Sequence, residues 1–136
     1  MRTIYQVALA GAAGLIIGAA TSTLMAQTAT SQAYLVANIN QVTDPAGYKT
    51  YGEKAANTQA AFGGRVLVAG EAQGLDSEGG NWANDIPPKG RIVIIAFPSM
   101  EKLKAWWHSP GYSAARPFRE KATLGSSYVV EGLPPS

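Results

Sequence analysis

Arg91-Ile92-Val93-Ile94-Ile95-Ala96-Phe97 runs through Pro98-Ser99 into Met100-Glu101-Lys102-Leu103-Lys104-Ala105-Trp106-Trp107-His108. The first seven residues read as a strand, because β-branched and aromatic side chains dominate them. Ile92 and Ile94 point one way and Val93 and Ile95 the other, so both faces are apolar, the mark of a strand buried from both sides. The stretch after it reads as a helix. Ser99 is suited to cap its orphan amides, Glu101 lies in the favoured first turn, and Leu103, Trp106 and Trp107 make an apolar side. Pro110, within Ser109-Pro110-Gly111-Tyr112, ends that helix, since the residue before a proline is driven from helical geometry. A further short helix is expected from about Tyr112 to Ala122, with Arg116 and Arg119 three apart on one face. A solvated face is the ordinary role for such a pair.

Upstream, strand and helix alternate again. Ala33 to Val42 predicts a first strand, with Ala33, Leu35, Ala37 and Ile39 on one face and Tyr34, Val36, Asn38 and Asn40 on the other. The first row is apolar and should meet the helices. Asp44-Pro45 starts a helix, the aspartate accepting from its first amides and the proline tolerated at the first helical position. Tyr48, Tyr51, Ala55, Thr58 and Phe62 recur at helical spacing, so the helix is expected to run to Phe62, where Gly63-Gly64 closes it as a left-handed cap. Arg65 to Gly74 predicts the second strand, and Tyr128 to Glu131 the last. Between residues 75 and 90, Gly79-Gly80, Pro87-Pro88 and many polar residues read as a loop. It is longer than most connections, and Trp82 lies inside it.

This order is β-α-β-β-α-β, an α+β layout with helices on one side of a sheet. The third strand needs cover on both faces, and the helices supply only one. A second copy of the chain is the simplest cover for the other, so a homodimer is expected.

Length and composition bound the rest. One domain is the prior for 136 residues. Residues 1–26 read as a secretory signal: Arg2, then the apolar run Val7 to Ala20, then small residues, with cleavage after Ala26 and a second choice after Ser22. The run is shorter than the roughly 20 residues of a spanning helix. The expected location is therefore outside the cytoplasm, in the periplasm, with an uncleaved membrane anchor as the alternative; after cleavage no membrane association is expected. Residues 27–32 form a flexible lead, residues 33–132 the domain, and residues 133–136 a tail. The net charge of +2 carries no basic stripe, which argues against nucleic acid as a partner. There is no cysteine and one histidine, so a metal site is not expected. No phosphate loop or dinucleotide turn occurs, and no cofactor is expected.

Taken in order, these pieces resemble domain-of-unknown-function family 1330. The resemblance rests on the strand opening with Tyr34, on Asp44-Pro45 with Tyr48 and Tyr51, and on Gly63-Gly64-Arg65. It continues through Phe97-Pro98-Ser99, Trp106-Trp107 with Ser109 and Tyr112, Arg116 or Arg119, and a closing strand before Gly132. It implies a ferredoxin-like sandwich whose sheets pair into a dimeric α/β barrel. Relatives in that superfamily include small monooxygenases, isomerase-like proteins and heme-binding peroxidases, but the family itself implies no settled activity. The apparent export signal and the enlarged Gly/Asn-rich loop depart from it.

The first functional expectation is a pocket between sheet and helices for a small, partly aromatic molecule. Tyr34, Asn38, Arg65, Trp82, Trp107, His108 and Tyr112 are its candidate lining. Arg65 could meet an acidic group, or pair with Glu71 on the same strand face. The second expectation is a cofactor-free oxygenase or isomerase, with His108 as the one neutral-pH proton carrier. As a helix-end residue, His108 could instead simply favour the helix dipole. The third is a structural or stress-related interaction protein without a ligand. The residues do not choose between an enzyme and a binding protein.

Overall fold

The computed structural model describes residues 30–73 and 89–136. The expected signal segment and Trp82 lie outside the described residues. The order is β1 (Ala33–Val42), α1 (Pro45–Ala55), a 3-10 turn (Ala60–Phe62), β2 (Arg65–Glu71), β3 (Arg91–Phe97), α2 (Met100–Trp107), α3 (Pro110–Ala122) and β4 (Thr123–Glu131). The four strands form one antiparallel sheet in the order β2-β3-β1-β4. This is the ferredoxin-like α+β arrangement.

Strand β1 shows why the helices lie on one face. Ala33, Leu35, Ala37 and Ile39 are buried, while Tyr34, Val36 and Asn38 between them are only half-buried. Register carries this alternation across the sheet. Leu35 stands opposite Ile95 on β3 and Val129 on β4, and Val36 opposite Ile94 and Tyr128. The odd-numbered row joins Phe97, Leu103, Trp106 and Tyr112 in the core. The even-numbered row faces away from the helices.

The first helix is shorter than the periodicity predicts. It stops at Ala55, and Asn57 then takes a left-handed φ of 59°. A core bond accounts for the break. The Thr58 hydroxyl donates to the Ala55 carbonyl at 2.9 Å and accepts from Trp106 Nε1 at 3.0 Å. A buried indole N–H needs an acceptor, and the interrupted end of α1 supplies it.

Strand β2 departs from simple alternation too. Arg65 stands opposite Ala96 and Val66 opposite Ile95, but Val68 stands opposite Ile94, so a bulge falls between Val66 and Val68. The extra residue reverses the faces beyond it. Arg65 therefore belongs to the bare side and Glu71, opposite Arg91, to the helix side. The expected shared face for Arg65 and Glu71 is corrected by this bulge, and β2 ends at Glu71 rather than Gly74.

Two other boundaries shift. Ser109 caps α3, accepting from the Tyr112 amide at 3.4 Å, so Pro110 opens that helix as its first residue instead of lying before it. β4 begins at Thr123, five residues earlier than Tyr128.

The start signal of α1 holds as read, while the left-handed Gly63 closes the 3-10 turn and not α1; both can be tested. Asp44 is extended, and its carboxylate accepts from the Gly47 amide at 3.1 Å. Asp44→Ala is expected to cost about 1 kcal/mol. Gly63 has a φ of 74°, and a Cβ on Gly64 would lie 2.6 Å from Phe97 Cε1. Gly63→Val and Gly64→Val should each cost more than the cap. Urea denaturation of the three variants ranks them; unchanged stability in all three would contradict the placement of the start of α1 and of the 3-10 turn before β2.

Candidate functional site

The helices do not fully cover β4, and a cleft opens between it and their inner side. Leu35 from β1, Leu103 and Trp107 from α2, and Ser127, Tyr128 and Val129 from β4 line a cavity of about 270 Å³. Beside it lies a second cavity of about 180 Å³, bordered by Ala37, Ile39, Arg119, Glu120, Thr123 and Ser127 among others. Ser127 lines both. The first is walled by aliphatic and aromatic side chains, the second by charged and hydroxyl groups.

Trp107 is half-buried and is the wall on which two cations rest. The Arg116 guanidinium lies 4.6 Å from its ring centroid and that of Arg119 5.7 Å. Arg119 also lies 5.9 Å from the Tyr51 ring. These contacts are within cation–π range. The expected solvated face for the two arginines is thus corrected: both are half-buried, because α2 brings Trp107 beneath them. They differ in pairing. Arg116 Nε meets Glu120 Oε1 at 3.5 Å. Among the described residues, Arg119 has no carboxylate at ion-pair distance.

Behind Trp107 lies a tyrosine cluster. Tyr48 and Tyr51 stack with centroids 5.9 Å apart, and the Tyr51 and Tyr112 hydroxyls lie 3.4 Å apart. Tyr112 is 1% exposed, and burial pushes its hydroxyl far above the ordinary 10.0; Tyr51 adds to the rise, and Arg119 and Arg116 oppose it. Burial raises Tyr48 as well, against the opposing charges of Arg91 and Arg119. The folded state therefore keeps protons that the unfolded chain loses above pH 10, and stability should fall as pH rises past that value. Tyr112→Phe should make this slope shallower, as read by urea denaturation between about pH 9 and pH 11. An unchanged slope would show that Tyr112 is not the group responsible.

The candidates named from sequence fall into separate places. Trp107 lines the apolar cavity and Tyr112 packs behind it, its ring centroid 5.4 Å from that of Trp107. Tyr34 and Asn38 have the parity of the opposite sheet face, yet Asn38 also borders the polar cavity beside Ala37 and Ile39. The Tyr34 hydroxyl donates to Gln32 Oε1 at 3.1 Å, and the Asn38 amide donates to the Lys89 carbonyl at 3.0 Å, tying the returning loop to β1. Arg65 is exposed and borders a shallow cleft with Gln32, Gly63 and Pro98. His108 caps the end of α2, exposed, and is not among the residues lining either cavity beside Trp107. Trp82 lies outside the described residues. The sequence reading did not name Leu35, Leu103, Ser127 or Val129 as lining, although the apolar rows of β1 and α2 already pointed the two leucines inward.

Among the described residues, no helix is long and apolar enough to cross a membrane, and no group of three metal-ligating side chains occurs.

A ferredoxin-like sheet, helices on one side and a cleft left open along the edge strand define the class: a small ferredoxin-like α+β domain. The family described as domain of unknown function (DUF1330) matches residues 32–133, and the chain belongs to it. Among solved structures, the RPA0582 protein of unknown function from Rhodopseudomonas palustris is similar at 17% identity and a TM-score of 0.53. That alignment covers 86% of this chain and 92% of the other. Its methylated form aligns at 16% identity and 0.56, covering 85% and 91%. SnoaB, a cofactor-independent oxygenase from Streptomyces nogalater, aligns at 13% identity and 0.43, covering 74% and 92%. The Rhodopseudomonas likeness establishes a shared fold, and fold alone does not carry chemistry. No curated protein matches the chain.

Proposed function

We propose that the protein is an exported homodimer that binds a small, partly aromatic molecule between its sheet and its helices. One observation carries the binding reading: an apolar cavity of about 270 Å³, walled by Trp107, Leu103, Leu35 and Val129, adjoins a polar one. Apolar walls with a few convergent polar groups are the usual form of small-molecule sites. His108 stands exposed away from this cleft, so no oxygenase or isomerase step is routed through it.

The dimer reading rests on the other face. Val36, Ile92 and Ile94 are half-buried there, and Val68, Tyr128 and Val130 are 40%, 56% and 47% exposed. Contiguous apolar patches of this kind are uncommon on soluble monomers. A second copy, sheet against sheet, covers them and closes a barrel. Export rests on the order of Arg2, the apolar run Val7 to Ala20, and Ala26. Intact mass of the protein from its native envelope reads this directly: loss of residues 1–26 supports export with cleavage, and a full-length mass in the membrane fraction supports the anchor.

The binding reading is tested by thermal shift against a library of small aromatic molecules, with Val129→Trp as control. Val129 is 42% exposed on the cavity wall, so a tryptophan there fills space without disturbing the core. Hits that raise the melting temperature of the wild type and not of the variant support the cleft. No hits would favour an interaction protein without a ligand.

A further inference from the structure

We propose that the ligand of this cleft is an anion, a carboxylic acid carried on an apolar or aromatic body, and that Arg119 receives its carboxylate. The inference rests on the cleft being a ligand site, as proposed above, and names the chemical class that it takes.

Arg119 projects from α3 into the cleft. It lines the polar cavity and lies 5.7 Å from the ring centroid of Trp107, which lines the apolar one. It is half-buried as a residue, with its guanidinium beside two aromatic faces and no anionic partner among the described residues to compete for it. Its neighbour Arg116 has one in Glu120 at 3.5 Å. Arg119 has none among the described residues; its ring neighbours, Tyr51 and Trp107, offer faces and no anionic oxygen. The planar fork of arginine matches a carboxylate in two parallel hydrogen bonds, and resting on aromatic faces fixes its orientation.

The two cavities supply the rest of the shape. Ser127 borders both, so an occupant can lie across it, with its body against Leu35, Leu103 and Val129 and its head toward Arg119. The Ser127 hydroxyl makes no hydrogen bond among the described residues and is placed to donate to the same head group. Glu120 borders the polar cavity as well and disfavours a second negative charge. A monoanion therefore fits better than a dicarboxylate.

The test compares matched probes by calorimetry on the wild-type protein: phenylacetate and 3-phenylpropionate, each beside its own alcohol. The acids are expected to bind roughly tenfold tighter than the alcohols, the scale of one charge-assisted pair. Arg119→Gln should bring each acid down to its alcohol and leave the alcohol unchanged. Arg119→Lys should recover part of the preference. Arg116→Gln should leave it intact. Circular dichroism of each variant verifies the fold, and the wild-type comparison needs no variant at all. Alcohols that bind as tightly as the acids would overturn the anion assignment and leave the cleft standing. Binding of neither class would overturn both.

Discussion

Trp106→Ala is expected to remove about 3–5 kcal/mol of stability, the range for deleting a buried indole. The residue is 2% exposed and belongs to the core cluster beneath the helices. Its ring lies 3.9 Å from that of Tyr112 and 5.2 Å from that of Phe97, centroid to centroid. Its N–H is held by Thr58 at 3.0 Å. Truncation would leave a cavity and also orphan the break in α1. Small domains have only about 5–15 kcal/mol in total, so this variant would stand near the edge of folding. Thr58→Val separates the two contributions. It keeps the packing and leaves the indole N–H unmatched, which should cost about 1–3 kcal/mol. Urea denaturation measures both, and a Trp106→Ala loss below that of Thr58→Val would contradict the placement of this core.

Charging the two faces of the sheet should give two different outcomes of comparable size. Leu35 is 3% exposed under the helices, and Leu35→Asp would bury an unpaired carboxylate. It is expected to unfold the subunit. Ile94 lies on the other face, opposite Val36 on one side and Val68 on the other. Ile94→Asp should leave the subunit folded and split the proposed dimer, because it would put a carboxylate into the apolar face that the dimer has to bury. Circular dichroism and light scattering at micromolar concentration report the two results. Unfolding in both variants, or a wild type already monomeric, would remove the dimer from the proposal.

The parts of this fold that could be read from sequence are those fixed locally. The alternation of β1, the Asp44 and Ser99 caps and the left-handed Gly63 each depend on a few neighbouring residues. The parts that escaped depend on distant contacts. Nothing near Thr58 announces that Trp106 will draw on it, so α1 could not be ended at Ala55 from its own periodicity. The bulge in β2 is invisible in Val66-Leu67-Val68, which is apolar at every position and so marks no change of face.

The site was legible in the same uneven way. Trp107 stood out as an aromatic on an apolar helix face. Arg119 was visible as a helix residue, but its lodging beside Trp107 depends on how α2 and α3 cross. Ser127 lay before the expected start of β4, where no strand parity could be assigned to it. Tyr34 has the parity that points away from Leu35 and the helices, whereas Asn38, of the same parity, still borders the polar cavity.

Native mass spectrometry of the protein purified from its own cells tests the central claim most directly. The prediction is a dimer carrying a small-molecule mass, which is lost on mild activation and absent from Val129→Trp purified in the same way. A bare dimer or monomer in the wild type, or the same added mass retained undiminished in Val129→Trp, would contradict a ligand held between the sheet and the helices.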